Sequence, residues 1–271
     1  MTEDYFIGVH ARELERLRAQ HAAWLPETEA LWTAAGFHAG QHLADLGSGP
    51  GYTALDLARR VGPRGRVTAL DKASPFLGYL AAEAVKRGLS NIETIEADVT
   101  AIETIDGPLD GAFCRFFLAF LIADLDRVLR TIHRSLAPGA AFAAMEYLTL
   151  GSATASPPMR GFDAHTRAWE AYYRKNGGDT AVGADLPSRL VAAGFEIVSI
   201  HCVGGMASPS HRWWGWWGRL ITDFGDTLAA EGHMTRDELD TLRADWCAAS
   251  KCRDAFIHTP ILLQVVARKP P

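Results

Sequence analysis

The segment Asp45-Leu-Gly-Ser-Gly-Pro-Gly51 sets glycines at positions 47, 49 and 51, at the end of the apolar run His42-Leu-Ala-Asp-Leu46. Glycine lets a backbone turn sharply and come close to a ligand. Two further carboxylates stand at matching places. Asp71 closes the run Arg66-Val-Thr-Ala-Leu70, and Asp98 follows Ile92-Glu-Thr-Ile95. A carboxylate at the end of a second strand can take two ribose hydroxyls. One after a third strand can accept from an exocyclic adenine amine, and Asp45 can receive a cationic amine directly or through water. Three carboxylates around one pocket suit a cationic ligand better than a pyrophosphate, which favours a helix N-terminus without neighbouring acids. The spacing also departs from the G-x-G-x-x-G dinucleotide fingerprint, because Tyr52 fills the third-glycine slot. No Tyr-x-x-x-Lys is present; Tyr172 is followed by Asn176 in the lysine place, which disfavours a nicotinamide oxidoreductase.

These residues need a scaffold that brings strand ends together. The pattern predicts helices over 10–24 and 27–36, then strands and helices in alternation: strand 42–46, helix 52–61, strand 66–70, helix 75–87, strand 92–95, strand 110–114, helix 123–136 and strand 140–145. Pro138-Gly139 is a helix stop. Such alternation means a parallel sheet covered on both faces, with ligands at the carboxyl ends of the strands. Residues 151–160 read as a loop, 162–175 and 186–193 as helices, and 195–203 and 261–267 as two further strands. The roughly 57 residues between those strands exceed any hairpin loop and are expected to be helical. The resulting fold class is α/β, a doubly wound, mostly parallel seven-stranded sheet with helical lid insertions. Its expected organisation is an N-terminal helical cap (1–38), a ligand-binding α/β core (39–150), and a region (151–271) carrying lid insertions at about 151–193 and 204–258 plus the last two strands.

Leu46-Gly-Ser-Gly-Pro-Gly51, Val67-Thr-Ala-Leu-Asp71, Glu96-Ala-Asp98 and Leu136-Ala-Pro-Gly139 resemble, in order and spacing, the motifs of class I S-adenosylmethionine-dependent methyltransferases. The resemblance is strongest over residues 40–147. Glu13-Leu-Glu-Arg-Leu-Arg-Ala-Gln20, Gly177-Gly-Asp179 and Ala193-Gly-Phe195 look like the bacterial small-molecule subgroup. The resemblance implies S-adenosyl-L-methionine as cofactor. It puts Gly47, Ser48, Gly49 and Gly51 around the methionine moiety, Asp45 on its amine side, and Gln20 near its carboxylate. Asp71 would bind the ribose and Lys72 would lie beside the adenine, which Asp98 and Val99 would frame. Arg115 and Phe116 would stand where the family's backbone meets the amino group. The implied activity is methyl transfer to a small, aromatic or apolar acceptor, on O, N or C. The same fold also admits S-adenosylmethionine-binding proteins with other chemistry such as cyclisation, or a non-enzymatic binding module.

Methyl transfer from a sulfonium is an in-line displacement, so a base is needed only where the acceptor must lose a proton. The candidates are Glu146 and Tyr147 after the fifth strand, His10 near the N-terminus and His211 before the tryptophan-rich segment. Tyr5, Tyr172, Trp213, Trp214 and Trp217 are candidate acceptor contacts. In Trp213-Trp-Gly-Trp-Trp217 the indoles at 213 and 217 align on a helix, whereas 214 and 216 do not. Some of them are therefore expected to face a groove or a partner.

The formal net charge of −5 and the lack of any basic run argue against nucleic acid as partner. The expected partner is a small-molecule acceptor, and a homodimer is compatible with the sequence. No paired-acid pattern suggests a metal. The four cysteines form no C-x-x-C and no apolar run spans a bilayer, so no stable membrane insertion and a cytoplasmic protein are expected.

Overall fold

The computed structural model describes residues 11–105 and 107–271. The chain runs α1 (Ala11–Ala34), β1 (His42–Leu46), α2 (Tyr52–Val61), β2 (Arg66–Asp71), α3 (Ser74–Lys86), β3 (Ile92–Glu96) and β4 (Leu109–Arg115). After a 3-10 turn over Leu118–Phe120 come α4 (Leu125–Ser135), β5 (Leu136–Thr149), β6 (Thr154–Ser156), α5 (Phe162–Lys175), α6 (Leu186–Ala192), β7 (Glu196–Val203) and β8 (Met206–Ala207). The chain closes with α7 (Arg212–Arg219), α8 (Gly225–Ala230), α9 (Arg236–Ala249), β9 (Phe256–His258) and β10 (Ile261–Arg268).

Seven strands form one sheet in the order β3-β2-β1-β4-β5-β10-β7. The pairs among the first five are parallel, while β10 runs antiparallel to both β5 and β7. Strand order reverses between β1 and β4, so the glycine loop after β1 and the turn after β4 meet at the crevice where such sheets bind ligands. Asp45 is opposite Ala69 on one side and Phe113 on the other, deep in the sheet. β1 and β4 are buried on both faces, as their apolar content requires.

Three expectations change. First, the predicted break between helices at 24–27 does not occur, and α1 continues through Pro26. Proline deprives a helical carbonyl of its N–H donor. The carbonyl that loses its donor to Pro26 is that of Ala22; the next one, of Ala23, accepts from Arg212 Nε at 2.7 Å and Trp213 Nε1 at 3.1 Å. The proline turn of α1 is thus where α7 is seated. Second, the 151–160 segment holds a strand. β6 and β8 pair with β9 in a small three-stranded sheet, made of strands too short for a periodic signal. Third, all four indoles of α7 are buried, while Arg212 and Gly215 are exposed. Trp213, Trp214, Trp216 and Trp217 are 8%, 4%, 1% and 0% exposed. Trp213 stacks on Trp24 of α1 (4.8 Å between centroids), Trp214 on Trp246 of α9 (4.2 Å) and Trp217 on Phe162 of α5 (5.6 Å). Gly218 lets Trp246 approach; a Cβ there would lie 2.9 Å from its indole nitrogen. Three helices around one, rather than a groove or a partner, absorb the four indoles.

Among the described residues no helix is long and apolar enough to cross a membrane.

Candidate functional site

The crevice at the β1–β4 switch point opens into a cavity of about 460 Å³, a volume typical of small-molecule sites. Of the residues expected to hold the cofactor, Gln20, Asp45, Gly47, Ser48, Gly49, Asp71, Lys72, Asp98, Val99, Arg115 and Phe116 all line it. Gly51 does not. It sits one step behind, at φ 76°, where a Cβ would meet the Leu80 side chain at 2.3 Å, so its absent side chain serves packing on α3.

The glycine loop is held by carboxylate-to-backbone bonds. Gly49 N–H donates to Asp71 Oδ2 at 2.7 Å, and Ala73 N–H to Asp71 Oδ1 at 2.8 Å, so Asp71 joins the loop after β1 to the turn after β2. Burial raises the Asp71 carboxyl, opposed by these two amides. Asp98 also anchors its own turn, accepting from the Thr100 amide and hydroxyl. Burial would raise it, yet the Thr100 bonds hold it below the ordinary range. Gly47 has φ 63°, and a Cβ there would lie 2.1 Å from the Phe117 ring. That cradle admits backbone only.

Asp45 is the most perturbed acid of the cavity. Burial pushes it up to about 7, despite the attraction of Arg115, and Asp71 adds to the rise. Its Oδ2 and the nearby Ser48 Oγ are buried with no hydrogen-bond partner. Buried polar atoms are normally satisfied, so these two fit a ligand that brings its own donors. Together with the Gly47 cradle and the acids at the strand ends, they fit an amine-bearing nucleoside such as S-adenosylmethionine. Arg115 donates to Thr28 Oγ1 at 2.8 Å and meets His21 Nδ1 at 3.0 Å, while His21 Nε2 meets Asp56 at 2.9 Å. A guanidinium only donates, so Nδ1 accepts and Nε2 carries the proton. Burial lowers His21, consistent with a neutral ring. This buried chain ties α1 to the floor of the cavity.

Beyond the acids and the glycine loop the wall becomes aromatic. Phe116, Phe117 and Phe120 come from the turn after β4, Tyr147 from β5, and Trp169 and Tyr173 from α5. Phe116 adopts φ 53°, a left-handed conformation that costs a non-glycine residue about 1–2 kcal/mol. Glu146 secures the turn: its Oε1 accepts from the amides of Phe117 (2.7 Å) and Leu118 (2.8 Å). Burial raises it to about 7, against those amides.

The acceptor candidates divide. Tyr147 lines the cavity; Glu146 does not, and its role is to brace the β4 turn. His211 lies outside the cavity as the N-cap of α7, its side chain accepting from Trp213 N–H. Trp213, Trp214 and Trp217 are core residues, as described above. Tyr172 is buried against Phe224 and His233, whereas its neighbour Tyr173 faces the cavity. Tyr5 and His10 lie outside the described residues. The sequence reading missed Arg16, Thr53, Phe117, Phe120, Trp169 and Leu220 as cavity residues. Two signals were present: the apolar run Phe116-Phe-Leu-Ala-Phe120 straight after a sheet strand, and the i, i+4 pair Trp169 and Tyr173.

The fold and the acid-flanked glycine cradle define a doubly wound α/β protein with its cavity at the switch point. Residues 43–139 match the family model of a methyltransferase domain. It is similar to the 2-phytyl-1,4-naphthoquinone methyltransferase of a Nostoc species (35% identity over 133 residues, 47% of this chain and 55% of the relative). It is also similar to the ubiquinone/menaquinone biosynthesis C-methyltransferase UbiE of Pseudomonas putida (26% over 207 residues, 71% and 78%). The chain spans 55% and 59% of the length of the two cyanobacterial naphthoquinone methyltransferases it matches. In fold it is similar to the [4+2]-cyclase SpnF (TM-score 0.59, 21% identity, 90% of this chain and 80% of the other). The same score relates it to a phosphoethanolamine N-methyltransferase of Haemonchus contortus with S-adenosylhomocysteine bound (18% identity, 92% and 53%).

Proposed function

We propose that the protein transfers a methyl group from S-adenosylmethionine to a small acceptor bearing an apolar ring. The observation that carries this is a cavity that joins acids and a glycine cradle to six aromatic side chains, of which Phe117 meets the cradle itself at Gly47. The cofactor, when bound, supplies an electrophilic methyl group on a sulfonium. The chain's own residues bind and orient. Asp71 offers a carboxylate for the ribose hydroxyls while it steadies the loop, Asp98 and Val99 flank the adenine, and Asp45 faces the amine. Arg115 balances the buried negative charge of Asp45. The aromatic wall excludes water and holds the acceptor in line, which is where alignment contributes to rate.

The family model ends at residue 139, before Tyr147, Trp169 and Tyr173. The acceptor class is therefore argued from the wall and not from the relatives' names. Thermal unfolding with S-adenosylmethionine, S-adenosylhomocysteine, NAD and NADP tests the reading. The two S-adenosyl compounds are expected to stabilise by about 2.7 kcal/mol at a hundredfold excess over Kd, and Asp71→Ala is expected to abolish the shift. A response to the nicotinamides alone would overturn it. Formation of S-adenosylhomocysteine with an acceptor separates methyl transfer from cyclisation or mere binding.

A further inference from the structure

Tyr147 introduces a polar group into the aromatic end of the cavity. It lines the cavity at the carboxyl end of β5 and is only 6% exposed. Its ring lies against Phe116, with centroids 5.0 Å apart. No described residue pairs with its hydroxyl. Tyr52, also on the cavity, differs: its hydroxyl donates to the Leu14 carbonyl at 3.0 Å. A hydroxyl unpaired within the protein keeps its hydrogen-bonding capacity for another partner. One that borders a cavity can be satisfied by the cavity's occupant.

Two facts narrow that occupant. Burial holds the Tyr147 phenol far above its ordinary range, so it stays protonated, donates, and does not serve as a base. The charges acting on it are the guanidinium of Arg16 and the carboxylate of Glu146, and Glu146 is already engaged by the amides of Phe117 and Leu118. Arg16 is likewise engaged, by Glu13 at 2.6 Å, so the occupant is recognised as a hydrogen-bond acceptor for the phenol and not by charge.

We propose that Tyr147 positions the methyl acceptor by donating a hydrogen bond to an oxygen carried on its ring, a carbonyl, phenol or phenolate. The assignment rests on the methyl-transfer reading of the same cavity. It makes the substrate class an oxygen-substituted ring flanked by Phe117, Phe120, Trp169 and Tyr173, with its oxygen directed at β5.

The test uses the full chain saturated with S-adenosylhomocysteine and titrated by calorimetry with 1,4-dihydroxynaphthalene, kept reduced under nitrogen, or with naphthalene. The dihydroxy compound is expected to bind about tenfold more tightly than naphthalene, as one added hydrogen bond allows. In Tyr147→Phe that preference is expected to vanish, while affinity for naphthalene and S-adenosylhomocysteine stays unchanged and the unfolding midpoint is not lowered. A wild-type protein without the preference overturns the proposal, as does a Tyr147→Phe protein that keeps it. Failure of S-adenosylhomocysteine to bind is seen before either probe is added. It rejects the methyl-transfer reading itself, and with it the proposal.

Discussion

The two ends of the cavity are built by different means. The acidic end is made of turns that each follow directly from a sheet strand, and its key contacts are between carboxylates and backbone amides. The aromatic end is assembled from the turn after β4, the end of β5, α5 and Leu220 beyond α7, which are far apart in the chain. Backbone-built sites demand particular residue types at particular positions, such as a glycine at φ 63°. A wall of rings demands only shape and apolarity, which many sequences meet. The acidic end is thus suited to one invariant ligand, and the aromatic end to a variable one.

The sharpest way to break this contrast is at α7, whose indoles belong to neither end. Trp217→Ala is expected to cost about 3–5 kcal/mol of stability, as core aromatic truncations do, and to leave S-adenosylhomocysteine affinity unaltered in the folded fraction. Urea unfolding and calorimetry measure both. A loss of affinity with little loss of stability would move α7 from the core to the site.

Glu146→Gln addresses the turn that joins the ends. A carboxyl near 4.5 when unfolded and raised to about 7 when folded contributes stability that is complete below pH 4.5 and lost as pH rises through 7. In that window the folded chain retains a proton that the unfolded chain has released. For this fully buried group the change amounts to about 3 kcal/mol, and Asp45 adds to it with the same sign. Urea midpoints from pH 4 to 8 are expected to fall with pH in the wild type and to fall distinctly less in Glu146→Gln. Equal slopes would mean that Glu146 does not titrate there.

Paired glycine substitutions sharpen the comparison within the acidic end. Gly47→Ala combines a left-handed φ with a Cβ 2.1 Å from the Phe117 ring, and about 2–3 kcal/mol of destabilisation with loss of donor binding is expected. Gly49→Ala has φ 52° and nothing within 4 Å, so only the conformational cost of about 1 kcal/mol is expected. Equal effects would show that the close approach of Phe117 is immaterial.

The smallest effect concerns Asp45. A carboxyl near 7 must ionise to receive a cationic amine. Donor affinity is therefore expected to weaken below pH 7 by up to about tenfold (roughly 1.4 kcal/mol) per unit. In Asp45→Asn that dependence should disappear. Calorimetry with S-adenosylhomocysteine between pH 5.5 and 8 distinguishes the two.

Much of the molecule is legible in the residues themselves. β1 and β2 show as short apolar runs closed by Gly47 and Asp71. The glycine loop, Asp71 and Asp98 stand where a switch-point ligand would meet them, and α5 has its predicted bounds. Legibility fails where orientation around a helix axis or a distant neighbour decides. Tyr172 and Tyr173 differ by one residue, about 100° of rotation, and only the second reaches the cavity. Glu146 and Tyr147 differ by one strand position, which sends their side chains to opposite faces, one to the β4 turn and one to the cavity. Pro26 reads as a break because the sequence does not reveal that Arg212 and Trp213, some 190 residues away, pack on this turn and donate to the Ala23 carbonyl beside it.

The amino-acid sequence alone specified the elements, the glycine cradle and the acids, because propensity, turn geometry and carboxylate-to-amide bonds act between residues close along the chain. Tertiary packing alone decided that the indoles of α7 are enclosed by α1, α5 and α9, and which rings line the cavity. Burial depends on what lies across the interface, and that is set by contacts between segments whose separation no local pattern encodes.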